Sequence, residues 1–148
     1  MNREIKFRGK RVDNGEWVYG YYVQNLTEYV WAGYQNDVRV FKKVDIPHCI
    51  VDPYNDYQNS LTHRVIPETV GQYVEILDAY EGDIVYGCER DEYGHLMSSW
   101  LGQVKYNENN SRIMVYDIYE SLWYEVDNYM ADKVIGNVFD HPELVEAE

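Results

Sequence analysis

Long apolar runs are missing from this chain of 148 residues. No stretch approaches the roughly 18 consecutive apolar residues of a membrane-crossing helix, so no transmembrane span is expected. The first residues are charged and carry no apolar core of the signal-peptide kind, which predicts no secretory signal. Cysteine is scarce: Cys49 and Cys88 are the two present, far apart. They fit no paired spacing, so the expectation is two free thiols in a reducing cytoplasm, not a disulfide framework.

Catalytic and cofactor signatures are absent as well. No G-x-S-x-G elbow, P-loop or G-x-G-x-x-G occurs, and the ten glycines are scattered singly. A nucleophile, nucleotide or dinucleotide site of those kinds is therefore not expected. His48, Cys49, His63, Cys88, His95 and His141 show none of the C-x2-C or H-x3-H spacings of metal sites. His48 and Cys49 are adjacent, and on a strand adjacent side chains point to opposite faces. The reading is not an enzyme, with no cofactor and no metal. Sustained 3.6-residue periodicity is also lacking. The helical candidates are "YMADKVI" and the tail "HPELVEAE", where Asp140 and Glu143 form a D-x-x-E capping pattern around Pro142.

Cations are lacking in one half. Residues 71–148 hold four Lys/Arg against 17 Asp/Glu, and residues 1–70 hold nine of each, so the second half carries the whole net charge of −13. The first dozen residues, "MNREIKFRGKRV", hold five cations and one acid. Phosphate binding needs local positive charge, so nucleic acid is a disfavoured partner. Charge opposition between the halves suits self-association instead, which makes a homo-oligomer the expected assembly, alongside an unidentified partner protein.

Tyrosine is abundant, at 16 residues against three Phe and four Trp. Its apolar ring and polar hydroxyl suit half-buried strands and interfaces. Residues 4–23, "EIKFRGKRVDNGEWVYGYYV", alternate around an Asp13–Gly15 turn signal and read as a hairpin. "EYVWAGY" and "VRVFKKV" read as a second hairpin across "QND", with Val38, Val40 and Lys42 on one face and Arg39, Phe41 and Lys43 on the other. Residues 52–63 are turn-rich and form the expected boundary. Short strands with turn punctuation continue from "TVGQYVEI" through "IVYGCE", "SWLGQVKYN", "RIMVYDIY" and "LWYEVDNY". The pattern predicts an all-β fold of short-stranded antiparallel sheets in a barrel or sandwich.

The candidate interaction surface is the basic, aromatic set Arg3, Lys6, Arg8, Lys10, Arg11, Trp17, Tyr19 and Tyr21, joined by Phe7 and by Arg39, Lys42 and Lys43. Such interleaving occurs in single-strand nucleic-acid binders. The acidic half suggests a different alternative, an anti-host protein that mimics DNA. In "YEGDIVYG", Glu81 and Asp83 could form an acid pair. With Gly82 between them, the structural reading is a turn in which Asp83 bonds backbone amides two residues on before a strand begins.

Three ordered segments carry a resemblance: "REIKFRGKRVDNGEWVYGYYV", "VIPETVGQYVEILDAYEGDIV" and "VIGNVFDHPELV". Their order and spacing resemble the YopX family of small proteins encoded by phages and prophages of Gram-positive bacteria. The resemblance implies a β-rich fold with a C-terminal SH3-like small barrel, minor helical turns and a cytoplasmic, phage-related origin. It implies no reaction. On this basis residues 1–62 are expected to form a hairpin-rich subdomain and residues 63–148 the barrel, or the two to form one compact domain. The turn between "VGQY" and "YEGD" is shortened to "VEILDA" relative to similar proteins, so no shared function is assigned to it.

Overall fold

The computed structural model describes residues 6–52, 62–127, 129 and 131–145. The fold is all-β and antiparallel, and it divides into two compact units, Met1–Val70 and Gly71–Glu148. The turn-rich loop is outside the described residues over 53–61, as is Arg3. No described helix is long and apolar enough to cross a membrane.

The first unit is a sheet in the order β4-β3-β2-β1. Strand β1 (Phe7–Lys10) pairs with the start of β2 (Trp17–Gln35), β2 pairs with β3 (Val38–Val51), and the end of β3 pairs with β4 (Thr62–Arg64). The expected turn closes β1 to β2: the Gly15 N–H donates to the Arg11 carbonyl at 3.0 Å, and the Asn14 side-chain oxygen accepts the Glu16 N–H at 2.9 Å. The two expected hairpins share a strand. "EWVYGYYV" and "EYVWAGY" run together into β2, which is 19 residues long, and β3 has 14. Both therefore exceed the short strands expected. The joint lies at Asn25, which has φ of 58° and faces Pro47 between the register pairs Gln24–His48 and Leu26–Ile46. Proline has no N–H for a ladder, and Asn tolerates positive φ, so the ribbon continues past the defect. Ile46, Cys49, Ile50 and Val65 are the buried apolar side chains of this unit.

The second unit begins with a small hairpin, β5 (Gly71–Val74) and β6 (Ala79–Tyr80). A five-stranded sheet follows in the order β10-β9-β8-β7-β11, from β7 (Asp83–Arg90), β8 (Leu96–Asn107), β9 (Arg112–Asp117), β10 (Leu122–Tyr124) and β11 (Lys133–Asn137). The expected SH3-like closure is not present: β11 joins β7 at one end of the order, β10 lies at the other, and no ladder links the two among the described residues. With only three residues, β10 is too short to carry a second ladder far. Ala79, Val85, Val104, Val115 and Tyr129 form the core, with Val74, Leu77, Trp100, Ile113 and Val126 packed against it.

Of the helical candidates, the first is corrected and the tail keeps a single helical turn, its last three residues, 146–148, lying outside the described residues. Lys133–Ile135 of "YMADKVI" lie in β11, where Lys133 and Val134 pair with β7 and Ile135 is the extra residue at a bulge. The tail forms one 3-10 turn, Pro142–Leu144, with no side-chain cap. The capping pattern does not form, because Asn137 takes over: its side-chain oxygen accepts the N–H groups of Phe139 and Asp140, and its amide donates to the Asp140 carboxylate at 3.1 Å.

Candidate interaction surface

Past Asn25 the first unit becomes a two-stranded ribbon. From Thr27 to Asp45, β2 and β3 pair with each other and with no other strand among the described residues. Both backbone edges are open. Its large side chains are open too: Tyr29 is 68% exposed, Trp31 57%, Tyr34 66% and Phe41 53%.

A bulge sorts these side chains. Trp31 pairs with Phe41 and Gly33 with Val40, so Ala32 is the extra residue on β2. Gly33 has φ of 109° with open space around its missing Cβ, so the conformation and not crowding requires glycine there. In an unbroken strand Trp31 and Tyr34, three apart, would face opposite ways. The bulge returns Tyr34 to the Trp31 side, where the two rings meet edge to face at 5.8 Å and 82°. Tyr34 pairs with Arg39 and Tyr29 with Lys43. One face of the arm thus holds Tyr29, Trp31, Tyr34, Phe41, Arg39 and Lys43. The expected alternation of β3, with Arg39, Phe41 and Lys43 together, is the half of this face that the sequence pattern carried. The β2 half was hidden by the bulge.

The residues expected to form the surface at the other end of the sheet are mostly committed inward or to each other. Arg8 is 6% exposed, with its guanidinium 4.4 Å from the Trp17 ring centre, and the Lys10 ammonium lies over the same ring at 5.3 Å. Cation–π contact with one indole explains why these side chains fold onto Trp17. Arg8 is therefore corrected from a surface group to a buried one. Arg11 is held by both carboxylate oxygens of Asp13, at 2.9 and 2.6 Å, and this partner draws the Asp13 pKa down. Lys6, Tyr19 and Tyr21 are exposed.

Glu81 and Asp83 do not form an acid pair. Gly82 has φ of 93° in the turn, and Asp83 opens β7 with Ile84 and Val85 fully buried behind it. The Asp83 carboxylate is buried and accepts the Tyr80 N–H at 2.8 Å, a bond that fastens the turn backwards, where the expectation was amides two residues ahead. Glu81 accepts the Gln72 N–H at 3.1 Å, and burial pushes its pKa up. It borders a shallow cleft of about 410 Å³ with Gln72, Tyr73, Tyr106 and Arg112. Two of its polar groups are engaged with protein: Arg112 pairs with Glu125 at 2.6 Å, and the Tyr73 hydroxyl donates to Asp78, whose carboxylate raises the Tyr73 pKa to about 12.

The histidines and cysteines are dispersed. His48 Nδ1 shares a hydrogen bond of 2.5 Å with the Tyr22 hydroxyl, while buried Cys49 points to the Val23 carbonyl, in keeping with opposite faces. Burial raises the Cys49 pKa, which keeps the thiol protonated and unreactive. His95 pairs with Asp91, and Cys88 lies 3.5 Å from the Asp132 carboxylate. Among the described residues no three such side chains converge.

No family model matches the chain, and no curated protein and no solved structure matches it.

Proposed function

We propose that this protein is a non-enzymatic binding or assembly module that works as a homo-oligomer in the cytoplasm of a bacterial host, as a phage or prophage accessory protein of the YopX type. The family and origin in this reading come from the three ordered sequence segments. The assembly role is supported by the arm: a ribbon of two strands, open at both edges among the described residues, with four large aromatic side chains more than half exposed. An isolated two-stranded ribbon is marginal in water, open edges invite pairing, and contiguous exposed apolar surface marks an interaction site. One covering partner relieves all three.

Light scattering on the purified full chain, across micromolar concentrations, tests this reading. The expected result is a mass that is a multiple of the chain's 17.6 kDa. A single-chain mass at every concentration would refute self-assembly.

A further inference from the structure

The aromatic face of the arm and the second unit differ in the sign of their charge, and both expose apolar side chains. Along the ribbon Arg39, Lys42 and Lys43 stand against Glu28, Asp37 and Asp45, and on the aromatic face Arg39 and Lys43 outnumber Asp45, which pairs with Thr27. Residues 71–148 hold four cations against 17 carboxylates, and among these Tyr93, Leu96, Met97 and Tyr119 are exposed. The aromatic face thus has, on the same chain, a unit of opposite net charge that also exposes apolar side chains.

We infer that the arm face of Tyr29, Trp31, Tyr34, Arg39, Phe41 and Lys43 docks on the acidic Gly71–Glu148 unit of a second copy of this chain. The inference rests on the assembly reading above and names its partner surface. Aromatic side chains supply rigid apolar area, and Arg39 and Lys43, beside them on the same face, find carboxylates. The contact joins unlike surfaces, so each copy carries one arm and one acceptor. Such a heterologous contact closes into a ring or runs on as an open chain. Its strength falls with added salt, because the charges at its rim are screened. Single-stranded nucleic acid is the rival occupant for an aromatic face with cations. The net charge of −13 opposes phosphate, and the same charge on a second copy draws the arm.

The test uses the full chain. Unlabelled and ¹⁵N-labelled protein are mixed and treated with a water-soluble carbodiimide, which condenses a lysine amine with a carboxylate, with loss of water, to form an amide. Mass spectrometry then identifies links that join one light and one heavy chain. The expected result is mixed-isotope links from Lys43 to Asp or Glu within residues 71–148. Arg39→Glu, which keeps Lys43, should weaken self-association by about tenfold or more. Mapping on the wild-type chain needs no variant to fold. An oligomer whose mixed-isotope links from Lys43 reach only residues 1–70 overturns the docking and leaves assembly standing. A monomer overturns both. Binding of a fluorescent oligothymidylate that Trp31→Ala abolishes, with no Lys43 links to residues 71–148, assigns the arm to nucleic acid and also overturns the inference.

Discussion

Trp31 and Tyr34 stand three residues apart on one strand, yet their rings meet edge to face at 5.8 Å. The contact exists because Ala32 is bulged out and Gly33 takes a φ of 109°. Deleting Ala32 should restore plain alternation and send one ring to each face. Near-ultraviolet circular dichroism should lose the tryptophan signal that this pair contributes. The arm is exposed, so stability of the rest should stay within about 0.5 kcal/mol. Retention of the signal would mean that the register, not the bulge, sets the face.

Asp83 is the second position where a substitution should be informative. Its buried carboxylate accepts the Tyr80 N–H at 2.8 Å. Asp83→Ala leaves that amide unsatisfied and should cost about 1–3 kcal/mol in urea unfolding. If the loss is no larger than that of an exposed substitution, the turn does not depend on this bond.

A third expectation concerns the centre of the second unit. The Tyr129 hydroxyl donates to Asp117 at 3.3 Å, and both side chains are buried. Burial and the adjacent carboxylate raise the Tyr129 pKa. Gly102 leaves the space: a Cβ there would lie 2.4 Å from Val115 Cγ1 and 2.8 Å from the Tyr129 oxygen. Gly102→Ala should therefore destabilise by about 1–3 kcal/mol through overpacking. Tyr129→Phe removes the hydroxyl contact while Val115 Cγ1 and the ring carbon at 2.9 Å stay, so the double variant should lose somewhat less than the sum of the single ones. Simple additivity in thermal melts would show that the two positions do not meet.

Glu81 gives the fourth, a pH dependence. Burial raises its folded pKa above the ordinary 4.5, so in the folded state it holds its proton to higher pH than in the unfolded state. The folded form then binds more protons, and stability falls as pH rises from about 4.5 through the raised value. Glu81→Gln keeps an oxygen for the Gln72 N–H and removes the titration. Denaturant midpoints measured across that range should flatten in the variant relative to the wild type. Equal slopes in the two proteins would assign the pH dependence elsewhere.

Much of this molecule could be read along the chain, because its cues are local. The Asp13–Gly15 turn follows from residues that accept positive φ. Gly82 lies in the expected turn because glycine accepts the positive φ, whereas Asp83, expected in the turn with it, is the first residue of β7 and fastens the turn through the Tyr80 N–H. The alternation of Arg39, Phe41 and Lys43 needed only the period of a strand.

What sequence alone determined, then, was the all-β class, the strand-rich punctuation and the split of charge at residue 70. Each depends on side-chain size, backbone preference or a count, and none needs a distant partner. Tertiary structure decided the rest. Arg8 sinks onto Trp17 because an indole from the next strand covers it. "KVIGN" becomes a strand because β7 offers it a ladder. The sheet stays open because β11 pairs with β7 and not with β10. The aromatic arm face exists because one extra residue on β2 changes which side chains line up across from β3, and register is a property of two strands together.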